Sequence, residues 1–218
     1  MQMARMNLSL KRKLSEQKGF TLIEMAIVLI IIGIIIGAVV KGKDVMKSAE
    51  QKRLFTTFAR EWQMAYNNYY DRTGWILGDD NSSNNNHRDG LCSDAGAMAT
   101  AANLNNQLNY VGLTSPAAGP TNVTNVRTYT DSWGRQYVLT LQFNNNPTFG
   151  NFIQITGNNG VPYDLGMAWD KMIDGTRDGN AGDFLYIPDS SAAAAADWPV
   201  NASVAPLSTS AFYLKLEF

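Results

Sequence analysis

The sequence predicts an α+β fold: a long N-terminal helix, transmembrane in its first half, packed on a small antiparallel β-sheet domain. Three observations predict it. From Phe20 to Val40 run 21 residues whose one charge is Glu24. Apolar and aromatic residues then recur at spacings of three and four as far as Tyr69, with no proline between Phe20 and Tyr70. In the C-terminal half the period changes to the alternation of half-buried strands, broken by turn residues.

The apolar run matches the roughly 20 residues a helix needs to cross a bilayer's hydrocarbon core. It is longer than the apolar region of a secretory signal peptide, about 7–15 residues, and continues without a turn signal into Lys41-Gly42-Lys43-Asp44. Ahead of it, Arg5, Lys11, Arg12, Lys13 and Lys18 stand against Glu16, a balance of +4; the rest of the chain carries −5, for −1 in total. A basic flank before an apolar span puts the N-terminus in the cytoplasm and sends the C-terminal domain outward. The acidic remainder does not indicate a nucleic-acid partner, which calls for a basic face. With Cys92 as the one cysteine, no intrachain disulfide can form.

A plain membrane anchor fits the length but not Glu24. A carboxylate near the centre of a bilayer costs roughly 2.5–3.5 kcal/mol on insertion scales, and less near the interface. The span holds no cation to pair with it. One would appear if the backbone were cut between Gly19 and Phe20, because the new α-amine, with a reference pKa of about 8, would sit one helical turn from Glu24. The two would pair within a chain or between chains packed side by side.

The stretch Lys18-Gly19-Phe20-Thr21-Leu22-Ile23-Glu24 resembles the signal of type IV prepilins and type II secretion pseudopilins. The resemblance implies a cut after Gly19 by a prepilin peptidase, methylation of the Phe20 amine, and a role for Glu24 in neutralising a neighbour's terminal amine during filament assembly. It implies residues 1–19 as a cleaved leader, 20–72 as the long helix with 20–40 as transmembrane and assembly segment, and 73–218 as an α+β head. The implied partners are further copies of the chain, related minor pilins, the peptidase and an inner-membrane assembly platform. The precursor would lie in the inner membrane and the mature chain of 199 residues in a periplasmic or extracellular filament. Pilus and secretion pseudopilus both stay open, as does a single-pass anchored binding domain that never polymerises.

A helix running to about residue 72 would be about 80 Å long at 1.5 Å per residue. Gly33 and Gly37 form a G-x-x-x-G pair that lets apolar helices approach, or reflect only the permissiveness of membrane helices to glycine. Many relatives in the family carry proline where this chain has Lys41. Leu54, Phe58, Trp62, Ala65, Tyr66 and Tyr69, with Phe55 alongside, form a stripe whose aromatic content fits core packing.

In the head, Thr73 to about Gly90 is turn-rich and reads as an exposed loop. Residues 94–110 read as a short helix with Ala97, Ala101, Leu104 and Leu108 on one face. Arg135–Phe143 and Asn151–Thr156 read as strands joined through Asn144-Asn145-Asn146-Pro147, Tyr163–Ile173 as a helix ended by Gly175, and Phe184–Ile187 and Phe212–Phe218 as late strands. Asp131-Ser132-Trp133-Gly134-Arg135-Gln136-Tyr137 is similar to the entry into the pseudopilin sheet, and the segment from Asp170 through Asp183 is similar to the helix-to-loop segment of pilin-like proteins. Asp174, Asp178, Asn180 and Asp183 are a candidate calcium site of a kind some pseudopilins use, although the spacing is not that of an EF-hand and Asp-Gly turns need no metal. No other cofactor is implied. The one histidine, His87, stands in an Asn-rich loop with no partner pattern around it, and no phosphate-binding glycine loop is present, so no catalytic constellation is predicted.

Overall fold

The computed structural model describes residues 19–79, 90–92, 100–119, 121–190, 194–201 and 203–217. The expected leader up to Lys18, the run Asn84-Asn85-Asn86, His87, Ala97 and Pro120 lie outside the described residues. The chain divides between Asp44 and Val45 into two units.

In the first unit the helix α1 (Leu22–Leu54) begins, and every residue from Gly19 to Asp44 is exposed. Leu22 is 93% and Ile34 67% accessible, so the Ile- and Val-rich run presents its apolar side chains outward.

In the second unit helical structure continues through a π turn (Phe55–Ala59) into α2 (Arg60–Thr73). Within the turn, the hydroxyls of Thr56 and Thr57 both donate to the Arg53 carbonyl at 2.9 Å, the back-bonding that accompanies bends in helices. Gly74, in the left-handed region at φ 72°, closes α2, its N–H donating to Tyr70 O at 2.7 Å.

Five antiparallel strands form one sheet in the order β1-β2-β3-β5-β4: β1 (Val126–Thr130), β2 (Gln136–Asn146), β3 (Gly150–Gly157), β4 (Phe184–Ile187) and β5 (Ala211–Lys215). The helices α3 (Ala101–Tyr110) and α4 (Tyr163–Ile173) complete the head. The predicted aromatic stripe is core. Phe58, Trp62 and Tyr66 are fully buried, with Trp62 edge-on to Phe143 and Tyr66 stacked on it at 5.6 Å. The opposite sheet face carries a smaller cluster around Phe152 and Tyr213, whose rings stack at 4.0 Å.

One polar node ties helix to sheet. Gln51 accepts from Trp169 Nε1 on its backbone oxygen at 3.0 Å, and its side chain donates to the Tyr129 hydroxyl and the Asp164 carbonyl. Tyr129 in turn donates to the Asp164 carboxylate at 2.9 Å, which also receives Ser132.

Four sequence expectations change. The segment after α2 is not simply an exposed loop, because Ile76, Leu77 and Asp79 are buried. The helix expected over 94–110 is described from Ala101, with Thr100 as N-cap. Asn144–Asn146 extend β2 instead of forming a turn. Asn144 and Asn145 side chains donate to Gln154 Oε1 and the Cys92 carbonyl, and the ladder runs to Asn146↔Gly150. Strand β1 has no counterpart among the sequence expectations; Arg127 points inward there and donates to the carbonyls of Thr124, Val126, Ala117 and Thr57.

The Asp131 motif is a turn lock. Its Oδ1 accepts from the N–H groups of Trp133 (2.9 Å) and Arg135 (2.8 Å), and its Oδ2 from Arg135 Nε and the Tyr137 hydroxyl. Burial pushes this carboxyl up, but the Arg135 side chain and the two N–H groups pull it further down, to a net position below the ordinary carboxylate range. The stability it confers is therefore present at neutral pH and is lost as the pH falls through that lowered value. Asp131→Ala should lower unfolding stability at pH 7 by roughly 2–3 kcal/mol. The check is the urea midpoint of the full chain in detergent; an unchanged midpoint would contradict the lock.

Candidate processing and assembly site

Gly19 and Phe20 lie in non-helical, exposed chain directly ahead of α1. Thr21 is the residue at which the helix starts. Its carbonyl accepts the Met25 N–H at 3.3 Å, the first α-helical bond. Its hydroxyl accepts the Glu24 N–H at 3.2 Å. Glu24 answers in return, with Oε2 accepting the Thr21 N–H at 2.7 Å and the Thr21 hydroxyl at 2.9 Å. This reciprocal pairing is a capping box, which satisfies otherwise orphaned donors at a helix start. The helix dipole adds to it, since Glu24 stands in the first turn where negative charge is favoured.

From sequence, Glu24 calls for a cation. In the uncut chain Phe20 N is a peptide nitrogen, and the carboxylate is held by Thr21. A search for charge overlooks Thr21, although Thr-x-x-Glu before an apolar run is itself a capping signal. Gly33 and Gly37 lie on the exposed helix, and a Cβ built on either meets nothing within 4 Å. They leave an open, shallow strip on an apolar surface.

Residues 14–40 match the family model of the prokaryotic N-terminal methylation motif. The chain carries a prepilin signal. The match spans Leu14 to Gly19, the Gly19–Phe20 junction, Glu24 and the apolar run, and it supports a type IV pilin-like precursor. No curated protein matches the chain, and no solved structure does. Helical structure begins within the matched segment and runs from Leu22 to Thr73, long and apolar enough in its first part to cross a membrane.

The acidic loop after α4 carries the candidate calcium residues Asp174, Asp178, Asn180 and Asp183. Asp174 Oδ1 accepts the Asp183 N–H and its Oδ2 the Phe184 N–H, both at 3.0 Å. Asp178 Oδ2 accepts from Thr176 Oγ1. Asn180 and Asp183 are exposed. Among the described residues, no group of three or more His, Cys, Asp or Glu side chains is placed to hold a metal ion. The loop's anchor is Asp170, which the sequence does not single out because its environment is made by Trp198, far along the chain. Asp170 is fully buried, and its Oδ2 accepts from Trp198 Nε1 at 2.6 Å and the Gly179 N–H at 3.1 Å. Among the described residues, neither its Oδ1 nor Asp178 Oδ1 has a hydrogen-bond partner.

Burial pushes the Asp170 carboxyl above the ordinary carboxylate range; Trp198 and Gly179 pull it partly back, while the charges of Asp178 and Asp174 add to the rise. A raised folded value means that ionisation of Asp170 weakens the fold. The cost is absent below the unfolded value of about 4, grows as the pH climbs to the folded value, and is constant beyond it. An asparagine keeps an oxygen for Trp198 and removes the charge. The melting temperature of Asp170→Asn relative to the parent chain should therefore rise from pH 4 to pH 7; a difference that stays flat over that interval would show that Asp170 does not titrate in this way.

Proposed function

We propose that this chain is a prepilin, cut between Gly19 and Phe20, methylated on the Phe20 amine and assembled into a helical filament of the type IV pilus or type II secretion pseudopilus kind. The observation that carries this reading is the methylation motif over residues 14–40, joined to an apolar helix exposed along Leu22 to Asp44. The exposed large apolar side chains between Phe20 and Val40 form a surface that is stable only in lipid or against other apolar helices. The precursor would rest in the inner membrane with its N-terminus in the cytoplasm and would leave it through an assembly platform, exchanging lipid contacts for contacts with neighbouring subunits and minor pilins. The head, with its own core, would form the filament's outer surface.

Assembly on this reading needs a charge on Glu24, while the capping box needs only an oxygen. Glutamine serves at the third helical position of a capping box as well as glutamate does. Glu24→Gln should therefore still yield a chain beginning at Phe20, by intact mass and N-terminal sequencing, yet give less than a tenth of the parent's sheared filaments. Filaments in normal amounts would remove the charge-pairing role. A parent chain that retains Met1 to Gly19 in its native membrane would remove the prepilin reading itself and favour an anchored, non-polymerising domain.

A further inference from the structure

The two hydrogen bonds of the capping box compete directly with extension of the helix toward the leader. In a helix begun one residue earlier, the Phe20 carbonyl would accept the Glu24 N–H, since each N–H pairs with the carbonyl four residues before it. That N–H is taken by Thr21 Oγ1. The Thr21 N–H, which would donate backward to the leader, is taken by Glu24 Oε2. The helix consequently stops two residues short of the Gly19–Phe20 bond, and both flanking residues stay non-helical and exposed. Without these bonds the next acceptable cap is Gly19, a residue type tolerated there, and the bond would pass into the first turn.

We propose that Thr21 is a positioning residue for leader removal: by fixing the helix start it keeps the Gly19–Phe20 peptide bond in open chain, where a peptidase can close around it. This rests on the prepilin reading. In the step itself, water adds across the Gly19–Phe20 amide, leaving a carboxylate on Gly19 and an amine on Phe20. Thr21 takes no part in the bond changes. A peptide bond inside a helix has its carbonyl engaged and its flanks coiled, so it must be unwound before it can be cut. Thr21 removes that prior step.

The test is the single-turnover cleavage of the full-length precursor, in vesicles, by a purified prepilin peptidase, followed by intact mass. Thr21→Val preserves shape and deletes the hydroxyl; a lost cap of typical strength slows cleavage about fivefold. Thr21→Ser and Thr21→Asn both restore a capping oxygen and should be cut within about twofold of the parent. Asparagine differs from threonine in shape, so its rescue separates capping from direct recognition of the threonine side chain. Thr21→Val cut at the parental rate overturns the proposal, as does Thr21→Asn cut as slowly as Thr21→Val. A parent precursor not cut at Gly19–Phe20 at all would instead mark the failure of the prepilin reading. All variants should keep the head's melting temperature, since Thr21 makes its bonds within the first turn of α1.

Discussion

A carboxylate in an apolar run must have its oxygens satisfied by something, and the local order of the N-terminal segment follows from how Glu24 meets that demand. In water the demand is trivial. Within a helix bound for lipid, each unpaired polar group costs several kilocalories. The chain answers with the nearest donors available, the N–H and hydroxyl of Thr21, three residues back. That answer fixes where the helix starts, which in turn fixes the conformation of the Gly19–Phe20 junction. One pair of side chains thus governs both the tolerance of the charge and the shape of the segment before it.

The helix meets a second constraint in the head. Leu54, Phe58, Trp62 and Tyr66 recur every four residues and are all buried. In an ideal α-helix of 3.6 residues per turn, each four-residue step drifts by about 40° around the axis, so such a series would wind off the buried face. A π turn holds more residues per turn and opposes the drift. The one at Phe55–Ala59 lies early in this series, and it lets Phe55 reach Trp169 at 5.6 Å while Phe58 and Trp62 stay in the core. Just ahead of it, the Arg53 carbonyl accepts from the hydroxyls of Thr56 and Thr57.

Legibility in the sequence follows the range of the interactions involved. The long helix, α4 and the strands around Leu139, Ile153, Phe184 and Phe212 are readable because periodicity reports local geometry. Strand β1 is not, because its inward positions are Arg127 and Tyr129, and an arginine spoils the apolar alternation that marks a strand. Its burial is made acceptable only by carbonyls from Thr57 and the 117–126 segment, which no local pattern announces. Asn144–Asn146 mislead for the converse reason: asparagine usually breaks strands, but here its amides find partners on Gln154 and Cys92. At the N-terminus, Gly19, Phe20 and Glu24 stand out as a motif, and Thr21 is equally present in the sequence. It is easily passed over because a charge in an apolar run invites a search for an opposite charge, whereas a helix start offers a neutral donor closer by. Asp170 cannot be read at all, since its indole partner is 28 residues away.

The capping box and the proposed filament contact need not compete for the same oxygen. Both bonds from Thr21 fall on Glu24 Oε2. A carboxylate offers two oxygens and about four lone-pair directions, so Oε1 can take an amine from a neighbouring chain while Oε2 continues to hold the helix start. On the proposed reading, this division has a consequence for the order of events. Before the cut, Glu24 is engaged by its own chain and no N-terminal amine exists at Phe20 to recruit it. After the cut, the amine appears just outside the cap, on a helix whose start has not moved. The new charge therefore needs no refolding of the segment that presents it. On that reading, the geometry that would expose the bond to a peptidase is the same geometry that would later present the amine to the next subunit.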